Sequence, residues 1–288
     1  MIGWNRTFVL TALGALSVAG CAPDAPEDTA AADHGHEAEA AASSDVVLRE
    51  GLGTHGIKIS TASDSAQAYF DQGLRLSYAF NHPAAIASYQ KAASFDPECA
   101  MCYWGVAWAN GPNINAALTA EGGEAAHHAI HRALELTDGI TEWERAYVEA
   151  MAARYDEDPM TGRARQDSAY ARAAVALADA YPHDPDAQVL AAEALMDLSP
   201  WDYWNEDGSP RPDTEAILGR LLPVTQDDLD HAGACHFYIH AVEKFYPERA
   251  IPCAERLAGL MPGAGHIVHM PSHIYIRVGR YADAIESN

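Results

Sequence analysis

The sequence predicts an all-α fold, an α-solenoid of antiparallel helix pairs preceded by an export signal and a tether. Three observations predict it. Apolar residues recur at spacings near 3.6 over most of the chain, the connections between those stretches are rich in Gly, Pro and Asp, and one 34-residue pattern returns in phase near the C-terminus. With 288 residues and 49% hydrophobic content, the chain is long enough to bury a core.

In chain order, Arg6 supplies a short positive segment, FVLTALGALSVAG an apolar stretch of signal-peptide length, and Cys21 closes it. The stretch is too short to serve as a membrane-spanning helix. The tetrad Val18-Ala19-Gly20-Cys21 resembles the bacterial lipobox. That resemblance implies a lipoprotein signal peptide over residues 1–20 and a diacylglycerol on the Cys21 thiol, anchoring the protein to a membrane with more than one acyl chain. A soluble signal peptide with a chance Cys is the alternative. Ala22, rather than Asp, after the Cys resembles the sorting pattern for the outer membrane of a Gram-negative cell, with the protein facing the periplasm. Residues 22–45 are mostly Ala, Asp, Glu, Pro and Ser with no Phe, Trp or Tyr, a composition that cannot bury enough surface to order itself, so residues 21–50 are expected to be a flexible acidic linker. His34 and His36 within it form a solvated pair that could loosely hold a metal but is more often inert.

Eighteen Lys and Arg against 41 Asp and Glu give a net charge of −23. Such a field repels nucleic acid, which is excluded as a partner, and favours cations or basic partners; a large acidic surface also serves solubility alone. Residues 51–56 spell GxGxxG, but IKIST follows instead of a helix and no βαβ unit surrounds it, so no nucleotide cofactor is expected. P-loop, GxSxG and HExxH motifs are absent from the sequence.

From Ala66, AQAYFDQGLRLSYAFNHPAAIASYQKAASFDPEC resembles the tetratricopeptide repeat (TPR). Tyr69 takes the Trp place, Leu76 the Tyr, Tyr89 the Phe and Pro97 the closing Pro, while Gln72 departs where Leu is usual. Gly73 and Ala85 are small so that the paired helices approach closely, and Pro97 stops the second helix. The register reappears with Ala250, Leu257 and Pro262 in a repeat beginning at His231, and with Gly279, Tyr281 and Ala284 in one beginning at Gly265. Between these lie helical stretches in CAMCYWGVAWAN, EAAHHAIHRALEL, TEWERAYVEAMAARY, DSAYARAAVALADAY and DAQVLAAEALMDL. The only extended pieces expected are short ones around DVVL or GIKIS. The repeat domain is assigned to residues 51–288, and since Asn288 falls at position 24 of its repeat, further repeats are expected beyond it.

Outside the cytoplasm disulfides are permitted, and Cys99, Cys102, Cys235 and Cys253 allow three connectivities. Cys99 and Cys102 open a helix in CAMCYWG, where a disulfide, a redox pair or two legs of a metal site all fit. Cys235 and Cys253 would staple one helix pair.

The histidines carry the remaining chemistry. His236, His240 and Glu243 span an arc of about 60° on one helix, and His266, His269 and His273 a similar arc on the next repeat's first helix. The second trio falls at repeat positions pointing away from the core, toward the concave groove of TPR proteins, and the first is rotated from it by roughly 70°. Imidazoles with a carboxylate suit zinc, copper or iron, and these spacings let one helix supply two ligands. A peptide-binding groove and a set of packing histidines remain open alternatives. His236, His240, His269 and His273 lead the ligand set, with Glu243 and His266 behind them, and Pro271 disturbs the ideal wheel of the second trio. His82, the His127/His128/His131 run and His183 read as surface residues.

The strings YFDQGLRLSYAFNH, DPECAMCYWGVAWANGPNIN, LMDLSPWDYWNEDGSPRP, HFYIHAVE and GHIVHMPSHIYIRVGRYADAI are similar to a bacterial group of TPR-containing lipoproteins and secreted proteins, over about Gly51 to the end. The resemblance implies fold and location but no reaction, and marks Cys99, Cys102, His236, His240, Glu243, His269 and His273 as group hallmarks. The expected function is an envelope lipoprotein holding zinc or copper, as a scaffold or as a metalloenzyme with Glu243 as the base on a bound water. The alternative is an adaptor binding an envelope protein or peptide in its groove.

Overall fold

The computed structural model describes residues 46–288; the export signal expected over residues 1–20, the lipidation expected at Cys21 and the His34/His36 pair lie outside the described residues. Among the described residues every regular element is helical, and the β features are isolated bridges joining Asn113 to Ala116 and Trp204 to Pro210. The all-α expectation therefore holds, and GIKIS is loop. The helices are α1 (Asp64–Tyr78), α2 (His82–Phe95), α3 (Ala100–Ala109), α4 (Ala120–Glu135), α5 (Glu142–Ala152), α6 (Arg163–Ala180), α7 (Pro185–Met196), α8 (Thr214–Asp227), α9 (Ala232–Val242), α10 (Ile251–Leu260), α11 (Gly265–His269), α12 (Pro271–Arg277) and α13 (Tyr281–Glu286). None of them is long and apolar enough to cross a membrane.

Helix starts follow local chemistry. Ser63 caps α1 by accepting from the Ala66 amide, Thr141 and Glu144 form a reciprocal capping box on α5, and Asp184 caps α7. Cys99 caps α3 through its Sγ and is joined to Cys102 by a disulfide, while a second disulfide ties Cys235 of α9 to Cys253 of α10. α8 goes beyond the helices read from periodicity. It contains Pro223, which breaks the pattern but sits on the exposed face, where one missing N–H costs only its own bond.

Consecutive helices pack on one another from α1 through α10, and α1 also reaches α3, α3 reaches α5 and α7 reaches α9. The small residues do what close packing demands: a Cβ on Gly73 would lie 2.7 Å, and one on Gly105 2.3 Å, from the ring of Tyr89, so the aromatic of α2 rests on bare backbone of both α1 and α3. Gln72 is buried where Leu is usual because its amide serves the entering chain. It accepts from the Arg49 amide at 2.6 Å and donates to the Val47 carbonyl at 3.1 Å and Ser88 Oγ at 3.0 Å.

Two features place the site. α9 returns to pack on α1, and the loop after α10 meets the entering strap, where the Gly263 amide donates to the Gly51 carbonyl at 2.7 Å. The segment carrying His266, His269 and His273 is not one helix. Met270 ends α11 and Pro271 begins α12, so a single wheel over the trio is replaced by two short helices.

Candidate metal centre

The first trio occupies α9, with Glu243 as its C-cap residue, and the packing of α9 on α1 buries His236, His240 and Glu243. Gly233 permits this contact, since a Cβ there would fall 2.4 Å from the Tyr78 ring. His266, His269 and His273, on α11 and α12, are half-buried.

Three Nε2 atoms converge. His236 Nε2 lies 3.0 Å from both His240 Nε2 and His266 Nε2, and the three lie within 4.8 Å of one another. Tetrahedral zinc at about 2.0–2.1 Å from each nitrogen sets ligand nitrogens about 3.3 Å apart, close to this spacing. The opposite ring nitrogens fix the tautomers. His236 Nδ1 donates to the Tyr78 carbonyl at 2.6 Å, and His240 Nδ1 faces Glu243 Oε1 at 3.4 Å. Carbonyl and carboxylate oxygens only accept, so both neutral rings carry their proton on Nδ1 and turn an Nε2 lone pair toward the other. Two lone pairs at that distance repel unless a cation lies between them.

A proton is a poor candidate for that cation. Burial, followed by the neighbouring imidazoles His240 and His266, pushes the His236 pKa well down; burial also lowers His240, and lowers His266 to about 4. Glu243 shows the opposite balance. Burial alone would raise its carboxyl, but hydrogen bonds from His240 and His273 outweigh it and hold the group at about 2.

Glu243 stands behind the rings. One oxygen faces His240 Nδ1, the other accepts from His273 Nδ1 at 2.9 Å and lies 3.4 Å from the Arg277 guanidinium. It turns two Nε2 atoms outward in the manner of an outer-shell carboxylate. His269 and His273 do not join the close trio; they form their own pair, Nε2 to Nε2 at 3.0 Å.

Two aromatics wall the site. Phe80 lies 4.5 Å from the His236 ring and 5.5 Å from the His266 ring, and Trp201 meets the His240 ring edge-on at 4.9 Å. They are the non-glycine residues with positive φ among the described residues, 53° for Phe80 and 64° for Trp201. Such backbone costs of order 1–2 kcal/mol per residue and gathers at functional sites. Both fall in strings quoted above for the sequence resemblance, YFDQGLRLSYAFNH and LMDLSPWDYWNEDGSPRP, yet periodicity has no means of assigning them to a histidine site.

His82, expected at the surface, is half-buried; its ring stacks 5.6 Å from Phe80, and burial, then the Arg154 charge, lowers its pKa to about 4. It also lines a groove of about 1320 Å³ between α2, α3 and α4, with Ile86, Tyr103, Val106 and Asn110. His128 and His131 are exposed, as expected.

A second cluster was not legible in the sequence: His55 on the strap, Asp186 in α7 and His231 at the cap of α9. Asp186 Oδ1 accepts from Tyr78 Oη at 2.6 Å and faces His55 Nε2 at 2.9 Å and His231 Nε2 at 3.5 Å. His231 Nδ1 accepts the Ala234 amide proton at 3.1 Å, so its own proton sits on Nε2. A metal would need the Nε2 lone pair, which this cap denies it. The cluster is a buried carboxylate with two hydrogen-bond donors, Tyr78 and His55, and the His231 imidazole beside it, a clamp tying strap, α1, α7 and α9 together. Burial would raise the Asp186 pKa, but the His231 and His55 imidazoles beside it hold it far below the usual carboxylate range.

Comparison with known protein families and with curated proteins finds no match. The TPR resemblance rests on the repeat register of the sequence.

Proposed function

We propose that this chain is an envelope lipoprotein of TPR type, anchored through Cys21, that binds a transition metal, zinc or copper, through His236, His240 and His266. The observation that carries the reading is the pair of Nε2 lone pairs of His236 and His240, 3.0 Å apart with both Nδ1 protons committed elsewhere. Three imidazoles satisfy most of a tetrahedral shell and leave one position for solvent or substrate. Glu243 acts as the orienting carboxylate, in place of the ligand or base suggested by its sequence position. Elemental analysis of the untagged full chain, as purified and after zinc or copper reconstitution, tests it. One or more equivalents are expected, with binding weakened at least tenfold in His266→Ala, whose half-exposed side chain makes loss of folding an unsuitable explanation. No stoichiometric metal after reconstitution would sink the reading.

The groove between α2, α3 and α4 favours a second reading, a peptide-binding adaptor. Partner binding that survives metal chelation and is lost on filling the groove with Ala129→Trp would favour it.

A further inference from the structure

We propose that the site takes two cations, the second held between the Nε2 atoms of His269 and His273, with Glu243 shared between the two positions. The inference rests on the metal reading of the buried trio and extends it.

The argument again comes from tautomers. His273 Nδ1 donates to Glu243 Oε2 at 2.9 Å, and His269 Nδ1 faces the Asn288 Oδ1 atom at 2.6 Å. The carboxylate only accepts, so the His273 ring carries its proton on Nδ1 and turns a bare Nε2 toward its partner; with the Asn288 amide oxygen turned to His269, that ring does the same. Their Nε2 atoms, 3.0 Å apart, then face each other as bare lone pairs, the arrangement already seen between His236 and His240. The two pairs share the i, i+4 spacing and nearly the same ring separation, 4.9 Å for one and 4.8 Å for the other. One cation between each pair of Nε2 atoms accounts for both arrangements.

One ion cannot serve all five rings. The nitrogens that lie within 4.8 Å of one another are those of His236, His240 and His266, and the His269/His273 pair stands outside that group. The His240 and His273 rings are nevertheless only 5.8 Å apart, each with its Nδ1 on a different oxygen of Glu243. A carboxylate bonded behind one ligand of each position orients both and offsets part of the repulsion between neighbouring cations. Two imidazoles leave the second ion with solvent or exogenous ligands, and the His273 side chain is 27% exposed against 1% for His240. The second position is therefore the weaker and the faster to exchange, suited to a soft or borderline divalent cation such as zinc or copper(II).

The test is zinc titration of the untagged full chain and of His269→Ala/His273→Ala, read as bound equivalents by calorimetry and elemental analysis, with circular dichroism to verify folding. Two equivalents of unequal affinity in the parent and one tight equivalent in the variant are expected. Copper(II) bound at two equivalents should also show a dipole-broadened electron paramagnetic resonance spectrum that sharpens in the variant. One equivalent in the parent, whether the variant then binds one or none, overturns the second position and leaves the metal reading standing. Two equivalents in both proteins also overturn it. No metal in either protein removes the metal reading itself.

Discussion

His236 Nδ1 donates to the Tyr78 carbonyl oxygen at 2.6 Å, joining residues 158 positions apart and setting the direction of the Nε2 lone pair. That bond forms only because α9 lies against the end of α1 over Gly233. Gly233→Ala places a Cβ 2.4 Å from the Tyr78 ring, and overpacking of this kind costs about 1–3 kcal/mol. Lower thermal stability and weaker zinc binding together are expected. Gly219→Ala in α8, with nothing within 4 Å of its Cβ, is the control and should be neutral or slightly stabilising. Unchanged metal affinity in Gly233→Ala would detach the α1 contact from the site.

The metal-free protein should lose stability as pH falls from about 6.5 toward 4. His236, His240 and His266 all titrate below their unfolded value, His266 at about 4, so the unfolded chain binds more protons through this window and gains at low pH. His55 runs the other way: burial would lower it, but its bond to Asp186 raises it, giving stability present in mild acid and lost as pH rises through its folded value. Urea midpoints of metal-free protein at several pH values measure the sum, and His266→Gln should flatten the acid limb. An acid limb unchanged by that substitution would count against the buried-imidazole account.

Trp201→Gly separates strain from site closure. The residue is 43% exposed with a φ of 64°, so glycine relieves backbone strain while removing little core. Stability should stay within about 1 kcal/mol of the parent, while transfer of zinc to a chelator should speed up severalfold as the edge-on cover of His240 is lost. Stopped-flow chelation at equal protein stability reads this directly.

Reduction of the Cys235–Cys253 disulfide should cost about 3 kcal/mol, the value for closing a loop of comparable length. It should also weaken metal binding, because the bond fixes α9 against α10. Reduction of the Cys99–Cys102 disulfide, which closes a short loop at the start of α3, should leave metal binding unchanged. Melting curves and zinc titrations of Cys235→Ala/Cys253→Ala and Cys99→Ala/Cys102→Ala compare the two.

Local information was enough for most of the helices, for Gly73 at the close approach of α1 and α2, and for the start of α3 at Cys99 and Cys102, because each depends on neighbours a few positions away. It also gathered the six site residues into two blocks, since i, i+3 and i+4 spacings place side chains on one helical face. It could not divide them. Whether His266 joins His236 and His240, why His269 and His273 stand apart, and why Glu243 lies behind the rings all depend on the return of α9 to α1 and on the break at Met270 and Pro271. The Asp186 clamp and the Phe80 and Trp201 walls are likewise products of contacts between segments distant in sequence. The sequence by itself determined the helical class and which side chains were available for chemistry. Tertiary structure decided their burial and their tautomers, because those follow from which oxygen faces each Nδ1, and that oxygen can come from the far end of the chain.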